Sequence, residues 1–110
     1  MATSLPKIFG QLKPINVVSP NLLYSAPANK QAQVTIFVSN QSVTQEYFRI
    51  ALVPNGQPVS AARYIAFDTP LIGYGVFAVT GIGLDTGDSI FVKSQLGNLS
   101  FTATGIEFSP

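Results

Sequence analysis

The side chains of this chain with the most direct chemical potential are its carboxylates, Glu46, Asp68, Asp85, Asp88 and Glu107. Two of them flank the segment 85–88, and oxygen ligands at such spacing can contribute to a Ca²⁺ site. Ca²⁺ takes roughly six to eight oxygens, however, and no third carboxylate is near in sequence. Aspartates in turns also bond their own backbone, and a glycine such as Gly87 supplies a positive φ. The segment therefore predicts a tight turn, and we expect no metal site.

Other catalytic arrangements find little support in the sequence. A glycosidase needs two acids across a cleft, and the conceivable pair is Asp68 with Asp88, although nothing in their spacing selects it. The chain has no histidine and no cysteine, which removes the commonest general base, the commonest zinc ligand and thiolate chemistry. There is no G-x-S-x-G motif. Glycines 73, 75, 81 and 83 precede no helix, and none is followed directly by a Lys-Ser/Thr pair, so a phosphate loop is excluded. We expect no enzymatic activity, no catalytic residue and no cofactor.

Aromatic residues raise two binding hypotheses. Residues 47–49 (Tyr-Phe-Arg) and 63–64 (Arg-Tyr) place aromatic and basic side chains together, as in single-strand nucleic-acid binders. Such proteins also need a basic groove, whereas this chain has six cations, five acids and a net charge of +1, so no nucleic-acid partner is expected. Binding of carbohydrates stays open, because tyrosines beside polar residues on a β-sandwich can bind sugars. The candidates are Tyr24, Tyr47, Tyr64 and Tyr74.

Charge is sparse, at 10% of residues against about 25% in a typical soluble domain. A folded chain of 11.7 kDa exposes roughly 5,900 Å², or roughly 540 Å² for each charge. A surface rich in Ser, Thr, Asn and Gln would explain this, and so would a surface covered by partners, which we favour. The apolar runs are interrupted well before the ~18 residues of a membrane span. Residues 1–7 lack the basic and apolar regions of a secretory signal. We expect no membrane partner.

Period-two alternation of apolar residues is the main structural signal, and residues 31–40 show it most clearly. Turn residues recur every eight to twelve positions, and no segment has helical periodicity. Residues 31–40 and 45–53 are close enough in sequence to predict a hairpin. Gly105 predicts a bulge, because the apolar parity changes there. The predicted strands are 7–12, 22–25, 31–40, 45–53, 63–67, 74–80, 89–95 and 99–108.

This spacing predicts an all-β chain folded as a single antiparallel β-sandwich of about eight strands. Jelly-roll-like and immunoglobulin-like topologies are both compatible with it. Residues 1–20 contain three prolines, which disfavour helix and favour extended backbone. We therefore predict an extended N-terminal arm at 1–20, lying on the domain or on a neighbour, and a β-sandwich domain at 21–110.

Several phrases of the sequence are distinctive. Residues 9–12 read FGQL, 23–32 read LYSAPANKQA, 64–71 read YIAFDTPL, and 81–88 read GIGLDTGD, followed by IFV. Together they resemble the opening strand, the LYTVPANKQA phrase, a middle strand and a hairpin of a group of small virion structural and fibre-associated proteins of tailed bacteriophages. The resemblance implies a non-catalytic virion component on a tail, baseplate or fibre, or one decorating the head. It brings no catalytic residue with it.

Composition and resemblance together lead to one functional expectation. We expect a structural protein of a tailed-phage virion, tail-associated, which forms a homo-oligomer with a trimer favoured and contacts other virion proteins. The first alternative is a capsid decoration protein that stabilises the head. The second is a host-glycan-binding module.

Overall fold

The computed structural model describes residues 6–109, which form eight β-strands and a short 3₁₀ turn, Ala61–Arg63. The strands are short and follow one another through loops, as alternating sequences bounded by Gly, Pro and Asn predict. In chain order they are β1 (Pro6–Leu12), β2 (Asn21–Ser25), β3 (Gln31–Asn40), β4 (Glu46–Val53), β5 (Tyr64–Leu71), β6 (Val76–Leu84), β7 (Ser89–Ser94) and β8 (Leu99–Phe108).

The strands pair as one long ribbon folded over on itself. β1 pairs with β8, β2 with β7, β3 with β6 and β4 with β5, all antiparallel. β8 also bonds β3, and β7 also bonds β4, which gives two four-stranded sheets of order β1-β8-β3-β6 and β2-β7-β4-β5. This is the jelly-roll arrangement. The predicted antiparallel β-sandwich is confirmed, and of the two topologies left open the strand order is not the immunoglobulin-like one.

The core lies between the sheets and is filled by alternate residues of the central strands. In β3 the residues Val34, Ile36 and Val38 point inward and are almost completely buried. Phe48 of β4 faces them, and its ring lies 6.4 Å from that of Phe101 of β8. Each such side chain contributes about 1.5–3 kcal/mol on burial. The regular alternation therefore fixes which face of each sheet points outward.

The prediction that residues 31–40 and 45–53 form a hairpin is wrong. β3 belongs to the first sheet and β4 to the second, so the loop 41–45 crosses from one sheet to the other. The crossing is held by Asn40, which is buried and whose Nδ2 donates to the carbonyl oxygens of Thr44 (2.9 Å) and Leu71 (3.1 Å). Alternation tells which face of a strand is buried, but it does not tell which sheet the strand joins.

Two strands run further than predicted. β5 continues past residue 67 and contains Pro70, which is tolerated because β5 is an edge strand and the missing N–H interrupts no ladder. β6 continues past residue 80 through Gly81, whose φ of 76° accompanies a shift of register against β3. A proline or glycine therefore did not end either strand.

The bulge predicted at Gly105 is not found, since its pairing with β3 keeps a regular register. The strand instead passes very close to its neighbour at this position. A Cβ added to Gly105 would lie 1.9 Å from the carbonyl oxygen of Gln33. The glycine is thus required by close approach of two central backbones.

The described part of the predicted arm forms a strand of the sandwich. Residues 6–12 are β1, which pairs with β8 from Pro6 opposite Ile106 to Leu12 opposite Phe101. The connection to β2 includes the buried Pro14. Residues 1–5 lie outside the described residues, and the division of the chain at residue 20 stays a prediction.

Candidate functional site

The acidic segment 85–88 forms the tight turn between β6 and β7. Asp88 N donates to the carbonyl oxygen of Asp85 at 3.0 Å, and Gly87 has a φ of 84°, as the sequence predicts. The Asp88 carboxylate accepts the backbone N–H groups of Asn55 and Asp85, both at 2.9 Å. Within residues 6–109 no three acidic side chains come together in a way that would hold a metal. These carboxylates therefore organise the turn.

Two other carboxylates have structural partners. Glu46 is fully buried, and its Oε1 accepts from Ser94 Oγ (2.5 Å) and Leu96 N (2.6 Å), which ties the loop after β7 to the start of β4. Glu107 accepts from Lys7 Nζ at 2.6 Å and from the Tyr24 hydroxyl at 2.5 Å. These two contacts hold the pKa of Glu107 below its usual value. Burial raises the pKa of Tyr24 above its ordinary range, as does its bond to that carboxylate.

The four candidate tyrosines separate into three environments. Tyr24 belongs to the core and stacks on Phe9 with ring centroids 4.5 Å apart. Tyr74 is exposed in the loop between β5 and β6. Tyr47 and Tyr64 lie on β4 and β5, the two neighbouring strands at one edge of the second sheet. Only these two are therefore placed on adjacent strands around a common group, which is centred on Arg49.

A cavity of about 400 Å³ opens on the outer face of the second sheet, and we call it the Arg49 cavity. Its position follows from strand alternation: Phe48 and Ile50 point into the core, so Tyr47 and Arg49 point outward. Arg49 lies directly opposite Lys93 of β7 in the register of the sheet. The lining consists of Tyr47, Phe48, Arg49, Asp68, Lys93 and Gln95.

Arg49 is held in place from two sides. Its Nε and Nη2 donate to the two carboxylate oxygens of Asp68 at 2.6 and 3.0 Å, a bidentate geometry specific to guanidinium. Its guanidinium also stacks over Phe67, 3.9 Å from the ring centroid. The hydrogen bond to Asp68 raises the pKa of Arg49, and the same bond lowers the pKa of Asp68. Asp68 adopts a φ of 49°, a backbone conformation that few residues other than glycine accept.

A second exposed surface lies at one end of the sandwich, where four loops meet, at 13–20, 41–45, 72–75 and 95–98. We call it the apolar end. Ile15 is 96% exposed there and Val18 is 82% exposed. The sole charged residue in these four loops is Lys13. The exposed large apolar side chains of these loops are Ile15, Val18, Val43, Ile72, Tyr74 and Leu96.

Three loops of the apolar end, 41–45, 72–75 and 95–98, are bonded to one another. Gln41 N donates to the carbonyl oxygen of Asn98, and Tyr74 N to that of Ser42, both at 3.0 Å. Gly73 packs so closely on loop 41–45 that an added Cβ would lie 2.0 Å from the carbonyl oxygen of Val43. Four of the apolar tips, Val43, Ile72, Tyr74 and Leu96, are therefore presented on loops joined by hydrogen bonds, and loop 13–20 lies against Gly97. The opposite end differs, since its loops at 26–30, 54–63 and 85–88 contain two cations and two carboxylates.

Sequence reasoning named Tyr47, Arg49 and Tyr64 but missed Lys93 and Gln95, which join them only through the register of β4 with β7. It also missed the apolar end. A signal for the latter was present, because apolar residues at 15, 18, 43, 72 and 96 sit among Gly, Pro, Ser and Asn, where no strand would bury them.

Comparison with known proteins gives no relative: no family model and no curated protein sequence matches the chain. No helix in residues 6–109 is long and apolar enough to cross a membrane.

Proposed function

We propose that the chain is a non-enzymatic structural protein of a tailed-bacteriophage virion, associated with the tail, baseplate or fibre, which acts by assembling into a homo-oligomer. The observation that carries the assembly part is the apolar end, where six large apolar side chains are exposed, four of them on loops joined by hydrogen bonds. Contiguous exposed apolar surface rimmed by polar residues is typical of protein interfaces. The virion part rests on the resemblance of residues 23–32 and 81–88 to phage structural proteins.

The apolar end is large enough to hold copies of the chain together. Five of its six exposed side chains are aliphatic, and burying five on each of two copies at about 2 kcal/mol each gives about 20 kcal/mol. Association costs about 4–15 kcal/mol in lost freedom. One pairwise contact therefore exceeds this cost, and a cyclic trimer, in which every copy contacts two neighbours, buries the same apolar end on three copies. Three apolar ends meeting at a common axis is the arrangement that we favour.

Assembly through the apolar end is tested by the solution mass of the full chain, measured by light scattering after size exclusion. We expect an oligomer for the natural sequence and a monomer for Ile15→Asp and Ile72→Asp, because a charge would have to be buried without a partner. Both side chains are highly exposed, so the fold should survive, which circular dichroism checks. Gln57→Asp adds the same charge at the opposite end and should leave the oligomer intact. A monomeric natural chain, or an oligomer unchanged by both substitutions, would refute the proposal.

The place in the particle is tested separately. Gold-labelled antibody against the chain should mark the tails of purified virions. Label confined to the head would instead support the alternative of a capsid decoration protein. In that case heads from which the protein has been removed should gain thermal stability when it is added back. Virions without label would contradict both placements.

A further inference from the structure

The Arg49 cavity has a charge arrangement that the fold alone does not require. Arg49 and Lys93 stand directly opposite each other on β4 and β7, and like charges in this relation repel. The single carboxylate in the lining, Asp68, is engaged through both oxygens by Arg49. Lys93 makes no ion pair with any residue in the range 6–109. The lining therefore has a net charge of +1 and a cation left without a direct partner.

The free hydrogen-bonding groups of the cavity are donors, which also favours a negatively charged ligand. Gln95 uses its side-chain oxygen to accept Tyr47 N at 3.0 Å, which leaves its amide N–H groups as donors. Arg49 keeps the N–H groups that do not face Asp68, and Lys93 offers three more. A fitting ligand is thus rich in acceptors and carries a negative charge.

Size and shape narrow the class further. A volume of about 400 Å³ lies within the range of small-molecule sites, about 300–1,000 Å³, and exceeds the needs of a simple inorganic anion. Tyr47, which is 41% exposed, supplies an aromatic wall. Phe67, the exposed ring beside Arg49, does not line the cavity and is covered by the guanidinium of Arg49, so a flat base could not be sandwiched between two rings. One aromatic wall opposite several donors suits a saccharide ring.

We propose that the Arg49 cavity binds an acidic saccharide, in which Lys93 pairs with the sugar carboxylate, Gln95 and Arg49 donate to ring oxygens, and Tyr47 packs against the apolar face of the ring. This binding does not depend on the assembly proposal, because Tyr47, Arg49 and Lys93 lie on β4 and β7, outside the loops of the apolar end; Gln95 is the one residue of the lining that such a loop also contains.

The test is calorimetric titration of the full chain with sialyllactose, with a glucuronate-containing disaccharide and with lactose as the neutral match. We expect an acidic sugar to bind and lactose to bind at least about tenfold more weakly. Added salt should lower the affinity for the acidic sugar. The sialyl and glucuronyl arms distinguish the two kinds of acidic sugar. Equal binding of lactose, or failure of all three sugars, would overturn the proposal.

Variants locate the site. Lys93→Gln should lower the affinity for the acidic sugar about tenfold and leave that for lactose unchanged. Lys30→Gln is the matched control, since it removes the same charge in the loop between β2 and β3 and should bind as the natural chain does. Tyr47→Ser should lower the affinity for the acidic sugar and for lactose. Inorganic phosphate competing as well as the acidic sugar would reduce the cavity to a simple anion site and contradict the saccharide assignment.

Discussion

Removing the side chain of Asn40 should destabilise the apolar end and the whole sandwich. Asn40 is 2% exposed at the end of β3. The two N–H groups of its Nδ2 are shared among the carbonyl oxygens of Thr44, Leu71 and Ile72 at 2.9, 3.1 and 3.3 Å, and its Oδ1 accepts Ser42 N at 2.9 Å. One amide thus joins the crossing loop 41–45 to the end of β5.

The expected loss follows from these bonds. Each neutral hydrogen bond contributes about 0.5–1.5 kcal/mol net, and a buried group left without a partner costs about 1–3 kcal/mol. For Asn40→Ala we expect about 3 kcal/mol, because the bond to Leu71 is fully buried while the others are partly accessible to water. In a chain of this size such a change lowers Tm by roughly 10–20 °C.

Urea and thermal unfolding followed by circular dichroism measure this change. Asn98→Ala is the matched control, since it makes the same truncation at the same end of the sandwich, at a side chain that is only half-buried. We expect it to lose less than about 0.5 kcal/mol, the range typical of surface substitutions. If Asn40→Ala unfolds within that margin of the natural chain, the bonds of Asn40 do not hold the loops and the reasoning fails.

Two further predictions concern the sheets. Gly105→Ala should lower the free energy of unfolding by about 3 kcal/mol or more, because its Cβ would meet the Gln33 carbonyl oxygen. Gly83→Ala is the control, since Gly83 has open space around it, and it should be nearly neutral. Equal unfolding midpoints of the two variants would contradict this. The pKa of Glu107 is lowered by Lys7 and Tyr24, so its contribution is present above the unfolded value, about 4.3, and is lost as the pH falls below it. Stability should therefore fall less steeply on acidification in Glu107→Gln, and identical pH profiles would refute the assignment.

The strands could be predicted well wherever one face is buried. The sequence predicts β3 with its observed bounds, because Val34, Ile36 and Val38 alternate with polar or exposed residues. The fold class followed from many such segments. The pairing partner of each strand could not be predicted in this way, because loop 41–45 is as compatible with a hairpin as with a crossing between sheets. The residue that decides between them, Asn40, is polar, and its burial gives no periodic signal in the sequence.

The Arg49 cavity was predictable only in part, for a related reason. Tyr47 and Arg49 are adjacent in sequence and attracted interest as an aromatic and basic pair. Lys93 and Asp68 are 44 and 19 positions away from Arg49, and they reach it through the register of three strands. A shift of that register by one residue would turn Lys93 to the other face of the sheet. Pairing, rather than composition, therefore creates the net positive site.

The two proposed surfaces can fail separately, but they share a border. Gln95 is the first residue of a loop of the apolar end and also lines the Arg49 cavity, where its side chain accepts the backbone N–H of Tyr47. Ile15 and Ile72 do not line the cavity, and Lys93 does not belong to the loops of the apolar end. Substitutions at these positions therefore separate assembly from ligand binding. If the chain both assembles and binds saccharide, the two surfaces meet at Gln95. Any effect of saccharide on assembly must then be matched by an equal effect of assembly on saccharide affinity.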